Sequence, residues 1–176
     1  RERERPERGM PLLWSAATRG AVVLAECGED HRAGEVLRIA QRILRKKPTP
    51  GWEGERFGSL RALKFHVYST LQPESLPGPS SSSTAREPIL WSFCCVYDVD
   101  FPEIQARGFL EKLALMSDPL RSTEAWLHGG TLAAQDSFAP TLLQRMEQAS
   151  SGGRLAMVSS KVDEVRSIMS DNIELL

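Results

Sequence analysis

The chain has few of the residues that build metal centres and disulfide frameworks. It holds three cysteines and three histidines in 176 residues. Cys94 and Cys95 are adjacent and Cys27 stands alone, so no pair has zinc-ligand spacing, and an odd count does not suit a secreted disulfide scaffold. Buried, reduced thiols in a cytosolic protein are the expectation. His31, His66 and His128 are too scattered to act together as ligands. No run of about 18 apolar residues occurs, so no segment reads as a transmembrane helix. The start, Arg1 to Gly9, mixes charges and lacks the apolar stretch of a signal peptide. It reads as a disordered leader, with Met10 as the natural start. A net charge of -1 gives no basic field for nucleic acid. There is also no nucleophile elbow, phosphate loop or carboxylate pair flanking a cleft, so neither catalysis nor a cofactor or metal is expected.

What the chain does have is 41% hydrophobic residues, enough for the core of one medium domain with an appendage. Leu12 to Thr18 and Ala21 to Glu26 are β-prone runs joined through Arg19-Gly20, the mark of a tight hairpin. Val36, Ile39, Ala40 and Ile43 then repeat at helical spacing, and Leu37 and Leu44 widen that stripe. Arg42, Arg45, Lys46 and Lys47 crowd the end of this helix as a solvated basic turn, where cations suit the macrodipole. Pro48 and Pro50 stop it.

Phe57 and Leu60 mark a short strand near Arg56 to Ser59. Leu63, Phe65, Val67, Ser69 and Leu71 alternate with Lys64, His66, Tyr68 and Thr70, which predicts a strand with one wet face. His66 falls on that polar face and is expected at the surface. Residues 72–88 are rich in proline and serine and read as a flexible insertion. Ile89 to Tyr97 is apolar almost throughout, hence a central strand buried on both faces, with Cys94 and Cys95 pointing to opposite sides.

Asp100 and Glu103 have capping-box spacing for the next helix. Ala106, Phe109, Leu110 and Leu113 form its buried face, and Asp118-Pro119 ends it. A loop through Gly129-Gly130 leads to a last helix, capped by Asp136 or Ser137, with Ala139, Leu142, Leu143 and Met146 as its stripe. Ser150 to Gly153 break the chain. A central strand buried on both faces requires cover on both. One helix on one side and two on the other give an α-β-α layered domain over residues 10–150.

Beyond it, Leu155, Val158, Val162, Val165, Met169, Asn172 and Leu176 are spaced alternately by three and four residues. This unbroken a/d seam is what a helix needs to supercoil with partner helices. Asn172 is its one polar layer.

The element order and several strings resemble the longin R-SNAREs, the long-form vesicle-associated membrane proteins. Met10 to Glu26 is similar to the family's opening hairpin, most of all in plant and algal members. Asp98 to Phe101, followed by Gly108-Phe-Leu-Glu-Lys-Leu, resembles its strand-to-helix junction. Val162 to Leu176 resembles the first half of the SNARE motif in both residues and register. The insertion over 72–88 is the main departure.

The resemblance implies an α/β (α+β) longin, profilin-like sandwich with a five-stranded mixed or antiparallel sheet, one helix on one face and two on the other. A partial coiled-coil segment follows over 151–176. It implies Q-type SNARE helices as partners at the seven seam residues, and sorting adaptors on the longin domain. Membrane attachment would come only through a C-terminal anchor, at the cytosolic face of endomembranes or vesicles on the plasma-membrane, endosome or vacuole route. The family's central arginine layer would fall three residues beyond Leu176. The sequence as given would itself be soluble. Leu37, Leu44 and Phe57 are the expected surface on which the seam folds back. The alternative reading is a longin platform or adaptor that serves trafficking without fusing membranes.

Overall fold

The computed structural model describes residues 10–28, 33–49, 51–69 and 88–151. Strands β1 (Leu12–Arg19) and β2 (Val22–Gly28) form the opening hairpin. Its turn is Gly20-Ala21, one residue later than expected, and Gly20 supplies the left-handed φ of 56°. Arg19 completes β1. Its guanidinium donates to the carbonyls of Trp126 and Gly129 at 2.6 and 2.7 Å, tying the hairpin tip to the segment around residue 128.

Helix α1 (Ala33–Arg45), strands β3 (Trp52–Phe57), β4 (Leu60–Ser69) and β5 (Ile89–Asp98), and helix α2 (Glu103–Ser117) follow. After a 3-10 turn at Asp118–Leu120 come the short helix α3 (Glu124–His128) and helix α4 over 135–151.

The five strands form one sheet in the order β2-β1-β5-β4-β3. Every pairing is antiparallel, so the sheet has no mixed character. β5 sits at its centre and is buried from Trp91 to Tyr97. The two-residue period of the strand divides its side chains between two cores. Cys94 and Val96 join Trp14, Ala16, Leu60 and Ala62 under α1, which contributes Val36, Ile39, Ala40 and Ile43. Trp91, Phe93, Cys95 and Tyr97 face the opposite way, with α2, α3 and α4. The two cysteines therefore point to opposite faces, as the strand period required. A register shift between Leu12 and Trp14 turns Leu12 into the second core, although Trp14 lies in the first. The result is a five-stranded antiparallel sheet with helices on both faces, compatible with a longin-like sandwich.

Several local expectations are corrected. The strand before β4 runs over Trp52–Phe57, and Gly58-Ser59 form the turn. Trp52 stacks on Phe65 with ring centroids 4.6 Å apart, which explains strand formation upstream of Phe57. The Asp100/Glu103 capping box does not form. Pro102 is the N-cap of α2 without a side-chain cap, while the Asp100 amide donates to Asp98 Oδ1. The segment before Gly129 is helical around Trp126, whose ring lies 5.0 Å from Phe138 and 6.0 Å from Trp91.

In α4 the buried stripe is Phe138, Leu142 and Met146, continuing from Ala134, whereas Leu143 is exposed. The helix begins at 135, so Asp136 and Ser137 lie inside it, and Ser150 is still helical. The polar side of β4 is wet only at Tyr68, which is exposed: Lys64 and His66 are buried on the face that α1 covers. The leader over 1–9, the insertion over 72–87, Thr70 and Leu71, and the break after 151 lie outside the described residues.

Candidate functional site

All seven seam residues, Leu155, Val158, Val162, Val165, Met169, Asn172 and Leu176, lie outside the described residues. The fold-back surface is placed in part. Leu44 and Phe57 both pack against the α1-side core. Leu37 is 57% exposed and belongs to neither core, so it stands apart from them. Charge rims this surface. Arg42 lies over the Phe57 ring at 5.7 Å, and Lys46 and Arg42 approach Glu55 at 3.0 and 4.0 Å. The basic turn ending α1 is thus partly neutralised by β3. Lys46 Nζ also donates to the Gly54 carbonyl at 2.6 Å.

A second constellation was not foreseen. Under α1, Glu53 Oε2 meets His66 Nε2 at 2.9 Å, and His66 Nδ1 meets Ser92 Oγ at 2.8 Å. Thr49 donates both its amide and its hydroxyl to Glu53 Oε1, each at 3.1 Å. Lys64, the cross-strand partner of Glu53, sends Nζ to the carbonyls of Leu44 and Lys46 and so caps the C-terminal end of α1. Burial, the largest single influence on Glu53, pushes its pKa up. The hydrogen bonds from His66 and Thr49, with the electrostatic pull of His66 and Lys64, outweigh that and hold the carboxyl below its ordinary value.

Serine, histidine and carboxylate in contact invite comparison with a hydrolase triad. The geometry argues otherwise. Ser92 is 1% exposed, and both the imidazole and the carboxylate are sealed beneath α1. No substrate atom can reach the hydroxyl in this arrangement. These polar atoms tie β3, β4 and β5 to one another and to Thr49 beyond α1, and Lys64 fastens the end of α1 to the sheet. The missed signal was that an amphipathic α1 must lie on the β4 face carrying Lys64 and His66, since Phe65 and Val67 are taken by the other core.

A third feature is a cleft of about 610 Å³ where the β3–β4 hairpin meets the β5–α2 junction, lined by Arg56, Arg61, Tyr97, Val99, Phe101 and Glu103 among others. Among the described residues no group of three His, Cys, Asp or Glu side chains is placed to hold a metal ion. No helix among them is long and apolar enough to cross a membrane. In the comparisons with known proteins, no family model and no curated protein matches the chain.

Proposed function

We propose that this chain is an R-type SNARE of vesicle traffic, whose α-β-α domain precedes and regulates a coiled-coil helix. The observation that carries the reading is a pairing within one chain. A five-stranded antiparallel sheet in the order β2-β1-β5-β4-β3, sandwiched between helices, is followed by a seam running from Leu155 to Leu176. Each half alone is a common part. Together, and in this order, they match the resemblance seen in the sequence.

The mechanism is mechanical. The seam helix zippers with three Q-type helices, and each layer removes apolar side chains from water. Full burial of a Val or Leu contributes roughly 1.5–3 kcal/mol, so these layers supply part of the work of drawing two membranes together. Asn172 sets register at some cost in stability. The domain acts as regulator and sorting handle at the cytosolic face of endomembranes. In a closed form the seam would lie against the half-buried Leu44 and Phe57, competing with the Q-helices for the same apolar residues.

The test is capture by a mixture of Q-type SNARE helices. Val162→Asp and Met169→Asp each place a charge in a desolvated layer, at a cost of several kcal/mol. Capture should be lost in both variants while the thermal melt of the domain is unchanged. Capture by both at wild-type level would sink the coiled-coil reading.

A further inference from the structure

The cleft at the β3–β4 corner has features that the vesicle reading does not use. Arg56 and Arg61 are direct cross-strand partners. Like charges at that position, with Cβ atoms roughly 4.5–5.5 Å apart, repel each other, and an anion between or above them would relieve the repulsion. Among the described residues Arg56 makes no ion pair. Arg61 spends one nitrogen, Nη1, on the carbonyls of Gly58 and Leu60. Two carboxylates also line the cleft: Glu55, which pairs with Lys46 and Arg42, and Glu103, which lies 3.9 Å from Arg107.

Tyr97 is the second observation. Its side chain lines the cleft and the residue is only 4% exposed; its hydroxyl makes no hydrogen bond among the described residues, so it can donate into the cleft. Burial chiefly, with Cys95 and Glu103, pushes its pKa up to about 12 against the opposing pull of Arg61 and Arg107. The hydroxyl therefore remains protonated at neutral pH and can donate.

The first turn of α2 opens at the same corner. Its N-cap is Pro102, and no side chain caps its leading amides. Two exposed apolar residues flank the opening: Val99 lines the cleft, and Ile104, 76% exposed, follows Glu103.

We propose that this corner binds a phosphomonoester on a lipid headgroup. Arg56 and Arg61 pair with its charge, and the Tyr97 hydroxyl and the leading amides of α2 donate to its oxygens. Arginine suits the role because its planar fork matches phosphate geometry. Val99 and Ile104 then enter the interface between headgroup and acyl chain, as exposed apolar residues beside a basic site do. This site would orient the domain on the membrane whether or not the seam is engaged.

The experiment uses the full chain and three probes: phosphatidylcholine vesicles carrying phosphatidylinositol 4-phosphate, charge-matched vesicles carrying phosphatidylserine, and soluble inositol hexakisphosphate. Co-sedimentation should favour the phosphoinositide vesicles over the phosphatidylserine vesicles. Arg56→Ala, on an exposed side chain, should weaken this binding about tenfold, equivalent to about 1.4 kcal/mol. Tyr97→Phe, which removes only the hydroxyl, should weaken it about threefold with an unchanged melt. Ile104→Ser should reduce vesicle binding and leave the soluble probe unaffected.

Binding that follows vesicle charge alone and ignores Arg56→Ala and Tyr97→Phe would overturn the site. So would failure to bind either phosphorylated probe. Binding of the soluble probe without the vesicles would overturn the lipid source.

Discussion

Removing the Glu53 carboxylate should be among the most damaging single changes in the domain. Glu53 and His66 are 8% and 6% exposed, so water screens their contact little. Glu53→Ala would strand the His66 Nε2 at 0% side-chain exposure, deprive the Thr49 amide of its acceptor, and leave Lys64 without the carboxylate opposite it. Breaking a buried pair by deleting one partner costs about 3–5 kcal/mol. For a domain of this size each kcal/mol moves the melting temperature by about 2–4 °C, so a drop of about 6–20 °C is expected. That is a large fraction of a total stability of about 5–15 kcal/mol. Because Glu53 joins β3 to β4 and to Thr49, the loss should appear first in β3 and the segment before it. Replacing both Glu53 and His66 by leucine should cost less than the sum of the two single changes, because neither is left facing an absent partner, although the Thr49 amide and Ser92 Oγ still lose theirs.

The same residue fixes a pH dependence. Glu53 holds its proton less tightly in the folded state than its ordinary value of 4.5 implies. Its stabilisation is therefore complete above that value and is lost as pH falls through the lower, folded value. Denaturant titrations at neutral pH and in steps below pH 4.5 would measure this slope. Glu53→Gln should flatten it, since the amide cannot titrate. The reasoning fails if Glu53→Ala melts within about 2 °C of wild type, less than 1 kcal/mol on this scale, or if Glu53→Gln retains the full acid slope.

Two further outcomes follow from the packing. Gly108→Ala should stabilise the protein by about 0.5–1 kcal/mol in thermal denaturation, because a Cβ there meets nothing within 4 Å and α2 loses a flexible residue. Gly129→Ala should destabilise it by several kcal/mol, because the added carbon would overlap the Ala125 carbonyl oxygen and the Ala133 side chain; equal melts for the two variants would refute the packing seen at this turn. Burial pushes the Cys94 thiol up to about 12 and Cys95 higher still, so at pH 8 a maleimide should label Cys27 alone in the native protein and all three thiols in guanidinium. Native labelling of Cys94 or Cys95, followed by mass spectrometry, would contradict a sealed central strand.

The apolar periodicities carried most of the architecture. Val36, Ile39, Ala40 and Ile43 are buried at the expected spacing, as are Ala106, Phe109, Leu110 and Leu113. The nearly continuous apolar run of β5 placed it at the centre of the sheet and sent Cys94 and Cys95 to opposite faces. What failed were inferences from polarity alone. Lys64 and His66 look like a solvent face because a single strand does not reveal that a helix will cover it, nor that Glu53 and Ser92, distant in sequence, will supply partners. The capping box failed for a related reason: Asp98 takes the Asp100 amide and settles the turn before α2 begins. Leu143 and Phe138 both fit helical stripes, and the aromatic contact with Trp126 decided between them. The β3–β4 corner was invisible in sequence because Arg56, Arg61 and Tyr97 are assembled by register across three strands.

The sheet edges constrain how any partner can bind. An open edge invites another strand. At β2 the segment 132–135 takes that place. The Leu132 and Ala134 amides donate to the Val23 and Leu24 carbonyls at 2.8 and 3.0 Å, and the Gln135 amide group imitates a strand by bonding both the N–H and the C=O of Glu26 at 2.8 Å. Leu132 adopts a left-handed φ of 61° to do so, a conformation costing roughly 1–2 kcal/mol. Two backbone bonds at about 0.5–1.5 kcal/mol each offset that strain. At β3, Lys46 occupies the Gly54 carbonyl, and the strand is six residues long. Strand addition is thus blocked at one edge and hindered at the other. A partner is left with helix faces, the charged rim around Leu44 and Phe57, and the arginine corner. Helix zippering, as proposed for the seam, needs no sheet edge, whereas a strand-like peptide that bound at β2 would first have to displace Gln135.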